Sequence, residues 1–129
     1  MKFLLDTHVW LWLIHEPERV RPEAISRLSR ADSELFLSVA SGWEIGIKFA
    51  AGKLELPDPP ELFIPSRLSR DRIRALSVEL SHALKAAALP PLHKDPFDRL
   101  LVAQAQSLGL TLVTRHVWVQ QYAVDWLEG

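Results

Sequence analysis

Short apolar runs alternate along this chain with longer stretches in which apolar residues recur every three or four positions. The runs are Phe3–Leu5, Leu35–Leu37 ending at Ser38, a weaker one at Ile73–Val78, and Leu110–Val113. None alternates apolar with polar residues along its whole length, so each is read as a strand buried on both faces. Helical spacing fills the intervals. Thr7–Ile14 carries Trp10, Leu11, Leu13 and Ile14 on a wide face, and Arg21–Ala31 sets Ala24, Ile25 and Leu28 opposite arginines. Val39–Ala51 places Trp43, Ile47 and Ala50 on one stripe, with Gly52 as its stop. Pro57, Pro59 and Pro60 break the chain before a helix near Glu61–Leu68, and alanine-rich Glu79–Ala88 ends ahead of Pro90 and Pro91. Asp95–Leu108 is the best-marked helix: Asp95 can cap it, Pro96 sits at its first position, and Gly109 closes it.

Strands that alternate with helices predict an α/β fold of parallel βαβ units. The 129 residues suit a single domain over 1–129, since neither side of the proline-rich stretch could bury a core alone.

In an open parallel sheet, ligands bind beyond the carboxyl ends of the strands. Asp6 follows the first strand directly. Glu44 lies in the first turns of the helix after the second, and Asp95 and Asp98 open the helix that returns to the fourth. Helix N-termini favour negative charge, so carboxylates can gather there. Each acid also has an ordinary role open to it. Asp6 and Asp95 can cap helices, Glu44 can pair with Lys48 four residues on, and Asp98 suits the helix dipole. Capping alone does not require acids near strand ends in three separate connections, whereas a hard divalent cation does. Mg2+ and Mn2+ take oxygen ligands and keep several waters, so a few carboxylates suffice.

Charge and composition narrow the partners. Lysine and arginine number 15 against 16 acids, a formal charge of −1, so bulk attraction cannot hold nucleic acid to this chain. A local basic patch, or a cation that reverses the field of an acidic pocket, is needed instead. The absence of cysteine removes disulfides and thiolate metal sites and fits a reducing, cytoplasmic setting. Asp6 interrupts the first apolar run too early for a signal peptide, and no apolar run is long enough to span a bilayer.

Four segments carry a family resemblance. They are Leu4-Leu5-Asp6-Thr7-His8, Ser38-Val39-Ala40-Ser41-Gly42-Trp43-Glu44-Ile45, His93-Lys94-Asp95-Pro96-Phe97-Asp98-Arg99 running on to Ala105, and Leu110-Thr111-Leu112-Val113-Thr114-Arg115. In this order and separation, they resemble PIN-domain ribonucleases, most closely the toxins of VapBC-type toxin–antitoxin pairs. The resemblance implies a parallel sheet of four to five strands with helices on both faces, and an endoribonuclease site dependent on Mg2+ or Mn2+. It implies catalytic and metal-binding roles for Asp6, Glu44 and Asp98, with Asp95 as a cap or outer partner and Thr114 at the pocket edge. It further implies RNA as substrate, a homodimer, and a cognate antitoxin that fills the acidic groove.

One position departs from the family pattern. Where many members place Asp or Asn after the Thr-Arg pair, this chain has His116. That imidazole could donate a hydrogen bond at the site, bind a softer metal, mark weakened cleavage, or be an ordinary loop histidine. Lys48, Lys94, Arg99 and Arg115 are the candidate phosphate contacts. His8, His15, His82 and His93 do not form a zinc-ligand spacing; His8 could touch the site but is read first as a packing or surface residue. Trp10, Trp12, Trp43, Trp118 and Trp126 are read as core or interface residues rather than base-stacking ones, with Trp12 the interface candidate. Two other classes stand beside the nuclease: a PIN module that binds RNA or antitoxin without efficient cleavage, and a phosphoryl-transfer enzyme using Asp6. The last lacks a second early acid next to Asp6.

Overall fold

In the computed structural model, which describes residues 1–129, β1 (Lys2–Leu5) lies at the centre of a five-stranded sheet. The other strands are β2 (Glu34–Ser38), β3 (Ile73–Leu76), β4 (Thr111–Thr114) and β5 (Trp126–Glu128), in the order β3-β2-β1-β4-β5. Every pairing is parallel, with Leu5 opposite Leu37 on one side and opposite Val113 on the other. The helices are α1 (Thr7–His15), α2 (Pro22–Leu28), α3 (Val39–Ala50), α4 (Pro60–Arg70), α5 (Leu80–Ala88) and α6 (Pro96–Leu108).

Strand alternation divides the core in two. Phe3, Leu5, Leu37 and Val113 face one layer, where Val9, Trp10, Leu28, Ile45 and Phe63 of α1 to α4 cover them. Leu4 and Leu112 face the other, under Leu101, Val102 and Ala105 of α6 and then Val119 and Tyr122. Both faces of β1 and β4 are thus dry, which is why β1 runs Phe3-Leu4-Leu5 without a polar break and β4 carries nothing more polar than threonine. Helices on both faces of a parallel sheet are the architecture expected from the sequence.

Two expectations are corrected, and the fifth strand of the expected four to five is located. The third strand ends at Leu76, and Ser77–Glu79 leads into α5, whose start His82 secures by accepting from the Glu79 amide at 3.0 Å. β5 lies in a stretch with no apolar run of its own. It pairs beside β4 through Leu127 opposite Val113, and its Glu128 meets Arg21 at 2.7 Å. The stripe Trp43–Ile47–Ala50 does not face the core: Trp43 is 67% exposed, while Ala40, Ser41, Glu44 and Ile45 form the buried side of α3. Ile45 locks that orientation by entering the core, and the rotation carries Glu44 inward with it.

Candidate metal centre

The chain leaves β1 for strands on opposite sides, β2 and β3 on one and β4 and β5 on the other. The carboxyl ends of β1 and β4 therefore form a switch point, where an open α/β sheet leaves a crevice. Asp6 stands at the end of β1 and caps α1, its Oδ1 accepting from the His8 amide at 3.1 Å. Across the crevice, the Thr114 hydroxyl at the end of β4 donates to Oδ2 at 2.7 Å. The Asp6 side chain is 5% exposed, so these two bonds fix its rotamer while leaving lone pairs toward the crevice.

Asp98 arrives from the first turn of α6. Asp95 caps that helix by accepting from the amides of Phe97 and Asp98, and His93 Nε2 lies 3.0 Å from Asp98 Oδ2. The His93 ring stacks on Trp118 at 3.8 Å, which holds the imidazole against the acid. Burial first, and then the charges of Asp6 and Asp95, raise the Asp98 pKa from 3.8 to about 6 against the opposing effect of His93 and His116. Three acids thus repel one another with too little positive charge between them.

Glu44 is buried on α3 and pairs with Lys48 Nζ at 2.9 Å. The start of α3 is tied to α1 by the Thr7 hydroxyl donating to Ser41 Oγ at 2.8 Å, and to α6 by Trp43 against Phe97 at 5.5 Å. The structure thus brings Asp6, Asp98, Asp95, Thr114 and His116 to one crevice, with Glu44 on the adjoining helix.

His116 follows β4, and its amide donates to the Thr114 hydroxyl at 3.1 Å, placing Nε2 3.6 Å from Asp6 Oδ2. His8, read from the sequence as a packing or surface residue, is half-exposed at the same crevice, with Nδ1 3.9 Å from Asp6 Oδ1. Its position in the first turn of α1, two residues after the capping acid, was the available signal. His93 was likewise missed as a partner of Asp98; both lie in one conspicuous segment, but only the turn before α6 shows that they meet.

The candidate phosphate contacts separate. Arg99 is withdrawn from that role, since its guanidinium donates to the carbonyls of Ala86, Leu89, Pro90 and His93 and binds the end of α5 to the start of α6. Arg115 donates to the carbonyls of Gly129 and Arg19 and lies over the Trp12 ring at 5.3 Å. Trp12 is further covered by Arg19 at 4.6 Å, so Trp43 rather than Trp12 is the openly exposed indole. Lys48 is tied to Glu44, while Lys94 is exposed.

The donors fit a hard dication. They are carboxylates, two of them well buried, and the Asp98 pKa is raised by its withdrawal from water first and by the charges of Asp6 and Asp95 second.

Residues 3–116 match the PIN domain family. This chain belongs to it. Ribonuclease VapC22 of Mycobacterium tuberculosis (strain ATCC 25618 / H37Rv) is 32% identical over 113 residues, covering 87% of this chain and 85% of its own. Ribonuclease VapC16 of the same organism is 32% identical over 74 residues, 54% of this chain and 52% of its own. Among solved structures, VapBC2 from Rickettsia felis, bound to a promoter DNA fragment, superposes with a TM-score of 0.75 at 15% identity, covering 98% of each chain. VapBC-1 from nontypeable Haemophilus influenzae superposes at 0.68 with 22% identity, over 99% of this chain and 98% of that one. These share the PIN fold with the present chain, so the crevice described above is a PIN-domain crevice with a histidine at its rim.

Proposed function

We propose that this PIN domain is a divalent-metal-dependent endoribonuclease and the toxin of a type II toxin–antitoxin pair. The observation that carries the reading is the pairing of buried Asp6 with the strained acid Asp98 at the switch point. Asp6, Asp98 and Glu44 would hold Mg2+ or Mn2+. When bound, such an ion polarises a phosphoryl oxygen and eases deprotonation of a water nucleophile.

The chain's own groups do the rest. Thr114 and the His8 amide keep Asp6 in one rotamer, and His93 keeps Asp98 in another. Glu44 orients or deprotonates the attacking water, and Lys48 holds that carboxylate in place. Lys94, next to Asp95, is the cation free to meet an RNA phosphate. The relatives named ribonucleases and the neighbours solved as VapBC complexes support RNA as substrate and an antitoxin as partner. Exposed Trp43 and Ile47 offer apolar surface for such a partner or for a second copy in a homodimer. No helix is long and apolar enough to cross a membrane.

His116 at the Asp6 carboxylate favours a second reading, a PIN module that binds RNA or antitoxin with little cleavage. Incubating purified, antitoxin-free protein with total RNA and Mg2+ or Mn2+ separates the two. Discrete fragments that vanish with EDTA and in Asp6→Asn establish the nuclease. Absence of cutting by folded wild type under both metals selects the binding module.

A further inference from the structure

The reading above treats the cation site as a set of oxygens, but the crevice also contains nitrogen donors. An Asp6 carboxylate oxygen and one ring nitrogen each of His8 and His116 all lie within 4.8 Å of one another. They come from both sides of the switch point: His8 from the first turn of α1, His116 from the segment after β4.

Two ordinary explanations for this grouping fail. The imidazole–carboxylate separations of 3.9 and 3.6 Å are too long for hydrogen bonds, so Asp6 does not satisfy either nitrogen. Nor are the rings buried for packing, since the His8 and His116 side chains are 48% and 38% exposed. They are nonetheless directed. His116 stacks on Trp118 at 5.9 Å and 28°, and the two imidazoles meet edge-on at 6.0 Å. Arg115, the cation nearest to His116 in sequence, donates instead to the carbonyls of Gly129 and Arg19.

Ligands about 2.1 Å from a four-coordinate ion lie about 3.4 Å from one another. The Asp6–His116 separation of 3.6 Å is already close to that, and small rotations of half-exposed rings close the remainder. Two imidazoles and one carboxylate suit first-row transition ions, whereas Mg2+ takes oxygen and water.

We propose that Asp6, His8 and His116 form a mixed nitrogen–oxygen site that makes this crevice select a first-row transition ion, Mn2+ through Zn2+, over Mg2+. This rests on the reading that the Asp6 crevice binds a divalent cation. It explains why a histidine can stand at position 116 without emptying the site of ligands.

The test is direct metal binding to the purified full chain, read by calorimetry and by the visible absorption of Co2+, with Zn2+ as competitor and Mg2+ as control. Wild type is expected to show a Co2+ spectrum with imidazole coordination, displaced by Zn2+. His8→Gln and His116→Asn should each weaken Co2+ binding by at least about 10-fold while changing Mg2+ binding by less than about twofold. His116→Asp should move the preference back toward Mg2+. Circular dichroism checks that the variants fold, which the exposure of both rings favours. Equal Co2+ affinity in wild type and both histidine variants, with loss only in Asp6→Asn, would overturn the mixed site and leave the carboxylate site standing. Wild type that binds none of Mg2+, Mn2+ or Co2+ would overturn both.

Discussion

The Thr114 hydroxyl donates to Asp6 Oδ2 at 2.7 Å across 108 positions of sequence, joining the carboxyl ends of two adjacent strands. The Asp6 amide donates to the Val113 carbonyl at 2.9 Å, so backbone and side chain of the same acid are both held by β4. Thr114 in turn accepts from the His116 amide. One buried hydroxyl therefore sets the crevice acid Asp6 and the start of the loop that carries the neighbouring imidazole.

Replacing Thr114 by Val keeps the shape and removes both bonds. Because Asp6 retains the His8 amide and faces the crevice, the stability loss should be modest, about 1–2 kcal/mol. Cleavage should fall by about 10- to 100-fold, because an acid with one fewer bond no longer keeps a single rotamer. Thermal unfolding and the RNA cleavage rate, measured on the same preparation, check the two effects together. A variant that cuts at the wild-type rate would remove Thr114 from the site.

Asp98 links function to stability through its charge. Its folded-state pKa of about 6 lies above the ordinary 3.8, so between those values the folded chain holds a proton that the unfolded chain has released. Its contribution to stability is therefore present below about pH 4, is lost as pH rises through about 6, and stays lost at neutrality. Asp98→Asn abolishes that penalty and should stabilise the metal-free protein at pH 7.5 by about 2–3 kcal/mol, with the gap closing toward pH 4. The same variant should not cleave RNA. Urea unfolding across this pH range gives the sign directly; a destabilised Asn variant at pH 7.5 would contradict the account.

Much of the fold was legible because burial on both faces forces continuously apolar strands. Leu4 and Leu5 face opposite layers, and both are fully buried. The α6 boundaries were legible for a different reason: Asp95 and Gly109 are chemical punctuation, one accepting amides and the other adopting φ 64°. β5 was hidden because an edge strand needs only one neighbour, and Trp126–Glu128 carries too few apolar residues to stand out. The orientation of α3 was hidden because its apolar residues surround the helix. Periodicity chose Trp43 and Ile47, but Ile45 decided the packing.

The site divides along the same line. Asp6 and Asp98, which meet at the crevice, and Glu44 on the adjoining helix stood out because acids near strand ends and helix starts are conspicuous. Their supporting groups did not, since the His93–Asp98 contact and the approach of His8 and His116 depend on loop geometry that leaves no periodic trace.

Glu44 and Lys48 allow the ion-pair and cation-site roles to be measured in one variant. Lys48→Met leaves a buried carboxylate without its partner, yet Lys48 is itself 39% exposed and solvent already screens the pair. The metal-free protein should therefore lose only about 1 kcal/mol. Saturating Mg2+ or Mn2+ should recover that loss, and the variant should bind the ion more tightly than wild type, if Glu44 faces the cation. Thermal shift with and without metal distinguishes this from a surface pair, for which the deficit would be the same in both conditions.

Arg99 and Lys94 complete the separation of fold from RNA contact. Arg99 satisfies four carbonyls at the junction of α5 and α6 with both of its terminal NH2 groups, so Arg99→Met should cost about 2–3 kcal/mol of unfolding free energy. Its effect on RNA binding, measured well below the variant's melting temperature, should be small. Lys94→Gln should do the opposite, leaving the melting temperature within a degree or two while reducing the salt dependence of RNA affinity by about one phosphate contact, a slope change of about 0.7. Binding titrations across a salt series, using Asp6→Asn as the background to prevent cleavage, read this slope. An unchanged slope in Lys94→Gln together with a reduced one in Arg99→Met would mean that the exposed lysine is a bystander and that the helix-joining arginine leaves its carbonyls when RNA binds.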